Sequence, residues 1–288
     1  MAGGLDHIVH AVHDLDAAAA RYASLGFTVG ARNRHPWGTH NVIVQFPGFF
    51  VELLTVGEPE KIVPPAPRKL SFGAFTRDFL ARDEGFSMLV LESRDARADA
   101  ATYEGTAFGG FDVFDFEREG KRPDGGAVKV AFSLAFARDP KAPAAGFFAC
   151  QQHYPENFWN PAFQTHANSA SGVAGVVLVA ENPSDHHIFL SAFTGNRDLH
   201  ATSSGITVAT PRGEIQVMDP AAFRLRFGLE PPNVSEGMRI AALRIAVRDP
   251  ARLAGVLAQN GVAAREHMGQ TVIGPETAMG ATIAFEPS

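Results

Sequence analysis

The sequence predicts an α+β protein of four βαβββ modules, arranged as two paired-module halves with curved mixed sheets. Three observations carry this reading. A strand-like apolar run ending in Asp or Asn, followed by an amphipathic helical segment, occurs four times, turning at Asp14, Asp95, Asn182 and Asp249. These residue types favour helix N-caps, because the side-chain oxygen satisfies free N–H groups of the first turn. Short segments rich in β-branched and aromatic residues, bounded by Gly, Pro or Asn, follow each helix. The turns fall at unequal intervals, which excludes a solenoid of fixed short period.

The elements run as follows. In the first module HIVHAVHD (7–14) is a strand and LDAAAARYASLGF (15–27) a helix, with strands at FTVGARN (27–33), HNVIVQF (40–46) and GFFVELLTV (48–56). A proline-rich connector, 58–85, contains KLSFGAFTRDFLAR, whose apolar spacing suits a linker helix or a lid. The second module has its strand at 86–95, its helix at 96–105, and strands at 110–119, 127–137 and 145–153. Asp124-Gly125 supplies the positive-φ residues that a tight hairpin turn wants. An aromatic and polar connector, 154–172, precedes the third module, whose strands after the helix are compressed into 204–213 and 214–220. The fourth module has a strand at 242–249, a helix at 250–262, then AREHMGQTVIGP and GATIAFEPS.

Composition narrows the function classes. The chain is 45% apolar and 19% charged, with a formal net charge of −6, which suits a globular protein with a sizeable core. The basic residues are scattered, so no basic stripe marks a nucleic-acid surface. Arg118, Lys121 and Arg122 are interleaved with Glu117 and Glu119, the pattern of a solvated hairpin. One cysteine, Cys150, excludes an internal disulfide and suits a reducing compartment. No signal-peptide pattern and no membrane-spanning run occur, so the cytoplasm is the expected location. Nucleotide fingerprints, GxSxG and CxxC are absent.

A strand-helix-strand-strand-strand module cannot close its own sheet, and two side by side make a cleft. Here the chain resembles the vicinal oxygen chelate superfamily, and within it a glyoxalase-like domain protein. The residues that carry the resemblance are 5–27, GTHN (38–41), FFVELL (49–54), FFACQQHYPENFW (147–159) and HANSASG (166–172). It implies two glyoxalase-like halves: an N-terminal module pair, 1–163, with the working cleft, and a degenerate pair, 164–288. It further implies one divalent metal (Zn, Ni, Mn or Fe), a small-molecule substrate and room for a homodimer, without nucleic acid or membrane partners.

The resemblance places His7 and Glu52 at ligand positions, and imidazole and carboxylate suit borderline metals. Strand alternation puts Phe50, Glu52 and Leu54 on one face, so Glu52 is an acid on an apolar surface, relieved either by a metal or by an arginine. The third ligand is Gln152 or His153. Aligned on the capping residues, Met88, Gly175 and Ala242 stand opposite His7 in the other modules; aligned on the paired phenylalanines, Cys150 stands opposite Glu52. Cys150 reads as a small buried hydrophobe, and His10 points away from His7. Substrate-contact candidates are Trp37, His40, Asn41, Trp159 and His166, with a loop-fixing hydrogen bond as the plainer role for His166. The favoured function is a metal-dependent lyase or isomerase acting on a small carbonyl or oxygen-chelating substrate, with Glu52 as the catalytic proton carrier. One alternative is a metal-free protein that sequesters a hydrophobic aromatic compound. The other is an extradiol-type dioxygenase using His7, Glu52 and His153.

Overall fold

Three of the four capping residues act as the sequence predicts. The computed structural model describes residues 3–121 and 126–288, so the expected turn at Asp124-Gly125 lies outside the described residues. The Asp14, Asp95 and Asp249 carboxylates accept backbone N–H groups at the starts of α1 (Leu15–Ser24), α3 (Ala96–Glu104) and α7 (Pro250–Gln259). Asn182 differs: it heads a 3-10 turn, Pro183–His186, and its side chain caps no helical N–H. In α1, Leu15, Ala18 and Tyr22 form the buried stripe that the 3.6-residue period requires. The connector helix is α2 (Phe72–Leu80), capped by Ser71. A single turn of helix, α4 (Pro155–Phe158), lies in the second connector. The other two helices are α5 (His187–Thr194) and α6 (Pro220–Phe227).

Sixteen strands form two eight-stranded mixed sheets among the described residues. The first contains β1 (Leu5–Ala11), β2 (Asn33–Arg34), β3 (Thr39–Phe46), β4 (Phe49–Val56), β5 (Gly85–Glu92), β6 (Phe114–Lys121), β7 (Ala127–Ala137) and β8 (Gly146–Gln152), in the order β2-β3-β4-β1-β5-β8-β7-β6. The second contains β9 (Ala170–Val179), β10 (Leu199–Thr202), β11 (Gly205–Ala209), β12 (Glu214–Met218), β13 (Arg239–Val247), β14 (Arg265–His267), β15 (Gln270–Ile273) and β16 (Thr282–Pro287), in the same relative order. Within every module the first strand pairs in parallel with the last, as β1 does with β4 and β9 with β12. Two modules then join through their antiparallel first strands, β1 with β5 and β9 with β13. This is the α+β fold of four βαβββ modules in two paired halves.

Local departures have local causes. The expected strand 27–33 shrinks to Asn33–Arg34, because Phe27 turns into the core after Gly26, whose φ is +90°. The third module is not compressed: β10 is a fourth strand, too short and polar to show an apolar pattern. The segment 264–275 splits into β14 and β15 at Met268-Gly269, both with positive φ, the geometry of a two-residue hairpin turn.

One face of each sheet feeds a shared apolar core that runs from Leu5, Ile8 and Tyr22 to Val176, Leu243 and Phe285. The other face of each sheet encloses a smaller cluster of its own, Val9, Phe148 and Cys150 in the first and Val177, Phe223 and Phe227 in the second.

His10 sits on the shared-core side, fully buried, with Nδ1 at 2.8 Å from the Tyr22 hydroxyl and Nε2 at 2.9 Å from the Met279 carbonyl oxygen. Burial lowers its pKa to about 4, against a smaller opposing pull from the Met279 carbonyl. The unfolded chain therefore binds a proton on His10 that the folded chain refuses between pH 6.5 and about 4. The stability due to a neutral His10 is complete above pH 6.5 and is lost as the pH falls toward 4, by roughly 3 kcal/mol at most. Urea midpoints at pH 7 and pH 5 should fall more in the parent than in His10→Phe; an equal fall would assign the acid sensitivity to other groups.

Candidate functional site

The inner face of the first sheet surrounds a cavity of about 70 Å³, measured as space for the centres of water-sized molecules. Alternation builds its wall: Phe50, Glu52 and Leu54 from β4, Thr39, Asn41 and Ile43 from β3, His7 and Val9 from β1. The second module adds Met88, Phe116, Arg118, Phe132, Leu134, Phe148 and Cys150; His35, Trp37, Phe72 and Phe158 complete the lining. The wall is apolar except for Arg118 and a short polar chain. His7 Nε2 lies 4.0 Å from Glu52 Oε2. The Asn41 amide donates to Glu52 Oε1 at 2.5 Å. His35 Nδ1 is 2.9 Å from Thr39 Oγ1, and the His35 ring stacks on Trp37 at 4.7 Å. Burial holds the His35 pKa below its ordinary value; the Glu52 charge pulls the other way.

Asp6 holds His7 in place. Its carboxylate is buried and lies 2.5 Å from His7 Nδ1, and the Gln152 amide donates to its other oxygen at 3.0 Å. Strict alternation would aim Asp6 away from His7, but the β1–β5 register shifts between Leu5 and His7. That irregularity lets adjacent side chains meet. With Nδ1–H donated to Asp6, His7 presents the Nε2 lone pair to the cavity and to Glu52. Phe50 stacks on the same ring at 4.2 Å, fixing its plane.

The expected site residues separate into two groups. His7, Glu52, Trp37 and Asn41 share the cavity. His40 points to the opposite face of β3, with Nε2 3.2 Å from Glu58. Gln152 is turned to Asp6, outside the cavity lining. His153 is exposed, with Nε2 2.8 Å from Ser133 Oγ. Trp159 packs edge-on against Phe50 and lines a separate pocket with Asp6 and Gln152. His166 accepts from the Thr28 N–H at 3.1 Å and donates to the Gln45 carbonyl at 2.9 Å, a loop-fixing role. Burial lowers its pKa, which keeps the ring neutral. Cys150 lines the cavity as a buried thiol whose pKa burial raises well above its usual value. The strand register gives its alignment a correction: Met88 pairs with Gly146 as His7 pairs with Phe50, so Phe148, two residues on, takes the place of Glu52.

Arg118 is the residue that sequence reasoning missed. The expected hairpin exists as β6–β7 and exposes Glu117 and Glu119, but Arg118 is half-buried and lines the cavity, and it forms no ion pair within 4.0 Å and no hydrogen bond with any described residue. Burial lowers its pKa, while the Glu52 charge raises it. The spacing Phe114, Phe116, Arg118 on a strand was the available signal, since these residues share one face.

The donor set does not fit the expected metal centre. His7 and Glu52 converge at the separation of two ligands on one ion, but a catalytic site ordinarily needs three protein ligands. Neither Gln152 nor His153 joins them, and among the described residues no group of three His, Cys, Asp or Glu side chains could hold a metal ion. The dioxygenase triad of His7, Glu52 and His153 is likewise unassembled.

The matching place in the second sheet is occupied by an arginine. Gly175 pairs with Glu214 as His7 pairs with Phe50, so Gln216 matches Glu52. The Arg244 guanidinium fills this space, bonded to Glu214, Gln216 and Glu286. A Cβ on Gly175 would stand 3.2 Å from Arg244 Nη1 and 2.9 Å from the Glu214 carbonyl oxygen, so no histidine fits there.

Paired βαβββ modules around a lined cleft define a protein of the vicinal oxygen chelate class. The glyoxalase-like domain family matches residues 5–194, and the chain belongs to that family. No curated protein matches the sequence. Among solved structures, a hypothetical protein from Staphylococcus aureus superimposes with a TM-score of 0.69 at 15% identity, covering 99% of each chain. A mutant of 4-hydroxymandelate synthase from Streptomyces coelicolor gives 0.56 at 11% identity over 99% of this chain and 92% of that one. A fusion of a xylose isomerase-like TIM barrel with 4-hydroxyphenylpyruvate dioxygenase gives 0.51 at 14% identity over 92% of this chain and 40% of that one. These likenesses establish the fold. Among the described residues no helix is long and apolar enough to cross a membrane.

Proposed function

We propose that this protein is a proton-transferring enzyme of the lyase or isomerase type, acting on a small aromatic carbonyl compound in the first-sheet cavity. The observation that carries the reading is the Asp6–His7 pair aimed at Glu52 across 4.0 Å inside an apolar wall. Asp6 orients the imidazole and stabilises the imidazolium that forms when Nε2 takes a proton. Glu52 is placed to carry a second proton, and the Asn41 amide steadies its carboxylate. The rings of Phe50, Phe148 and Trp37 hold a flat ligand and exclude water, which strengthens the electrostatics of the few polar groups. No metal is required by this scheme.

Deuterium uptake from heavy water tests it. Arylacetaldehydes and arylpyruvates carry an exchangeable C–H beside the carbonyl, and NMR should show protein-catalysed uptake in at least one of them. A second reading, sequestration of an aromatic compound without turnover, draws on the seven aromatic rings of the lining. It predicts tight binding of such compounds with uptake no faster than in buffer.

A further inference from the structure

We propose that the cavity selects an aromatic monocarboxylate, with the ligand carboxylate paired to the Arg118 guanidinium. The inference rests on the first-sheet cavity being the working site. Arg118 on the edge strand β6 and Arg244 on the central strand β13 each turn to the inner face of their sheet, and they meet different fates. Arg244 is saturated by Glu214 and Glu286. Arg118 has no such partner among the described residues, although it is half-buried and lines the cavity. A guanidinium stays charged and presents five N–H donors in a planar fork, so removing its water without supplying an acceptor is costly. Glu52, the carboxylate of the lining, does not fill this role: it lies beyond ion-pair distance, and Asn41 occupies its Oε1.

A carboxylate matches that fork with two parallel hydrogen bonds. The neighbouring Trp37 and Phe116 surfaces suit a ring attached to it. The cavity volume of about 70 Å³ keeps the ligand compact. Charge also sets the orientation. The Glu52 carboxylate repels an anion, so the ligand carboxylate goes to Arg118 and the rest of the molecule extends toward His7 and Glu52. Arg118 is then the specificity residue for the acid group, and His7 and Glu52 meet the carbon at the other end.

The test compares benzoate, phenylacetate and 3-phenylpropionate with their neutral amides at constant ionic strength, by calorimetry and Trp fluorescence. The parent should bind its best carboxylate about tenfold or more tightly than the matching amide, as a bidentate charged pair allows. Arg118→Gln should abolish that preference and leave the amide affinity within about twofold, the size of a neutral rim effect. Arg118→Lys, which keeps the charge without the fork, should retain part of it. Amides that bind as well as carboxylates, or a preference that survives Arg118→Gln, would overturn the inference and leave the cavity as the site. If neither series binds the parent at millimolar concentration, this inference and the cavity reading both fall.

Discussion

Replacing His7 by alanine is expected to lower catalysed deuterium uptake by about 10²–10⁴-fold, the usual contribution of one general acid–base group. Among the described residues, the imidazole is the only cavity group whose geometry combines an orienting carboxylate on one nitrogen with a free lone pair on the other. Its removal leaves the buried Asp6 carboxylate with the Gln152 amide as side-chain partner, so some stability is lost as well. His7→Asn separates the two effects. Its amide can still donate to Asp6, yet nothing replaces Nε2. Uptake should fall as far in His7→Asn as in His7→Ala while the unfolding midpoint stays near the parent value. Uptake retained in both variants would remove His7 from the chemistry.

The second large effect concerns the other half. Arg244→Leu strips the cation that bonds both Glu214 and Glu286 and leaves these two carboxylates with Arg226, 3.8 Å from Glu286, as the nearest remaining cation among the described residues. A broken buried pair costs about 3–5 kcal/mol, and the part exposure of both carboxylates reduces this to roughly 2–3 kcal/mol. Denaturant titration should show that loss. Adding Glu214→Gln and Glu286→Leu should recover most of it, because the penalty comes from the stranded charges. Uptake in the first-sheet cavity should be unchanged throughout. A variant as stable as the parent would mean that the cluster is solvated and does not hold the second sheet's inner face together.

How far the sequence revealed this molecule depends on how local each signal is. The four modules were legible because a capping carboxylate and an apolar period act over a few residues, as at Asp14 with Leu15, Ala18 and Tyr22. The inward faces of β3 and β4 followed from alternation, which placed Glu52 on an apolar wall. The companions of Glu52 and His7 were less legible. Asp6 meets His7 only because β1 slips by one residue against β5, a distant strand. Arg118 looked solvated because its sequence neighbours Glu117 and Glu119 are exposed, yet alternation turns it inward with Phe116. Gln152 was expected at the metal, but the buried Asp6 carboxylate offers it a charged acceptor on another strand. Arg244 passed unnoticed for the same reason, since its acids arrive from β12 and β16. Pairings between strands far apart in the chain leave little trace in either partner's neighbourhood.

The most direct test of the account is Glu52→Gln, which keeps the shape and an acceptor oxygen while removing the charge and the proton capacity. Deuterium uptake into an arylpyruvate and its binding should be measured side by side on the folded variant. The account predicts uptake reduced by about 10²-fold or more with binding equal to or tighter than the parent's, since an anion-repelling charge is gone. Uptake at the parent rate would contradict it, because Glu52 would then be a structural acid and the cavity a binding site without proton transfer.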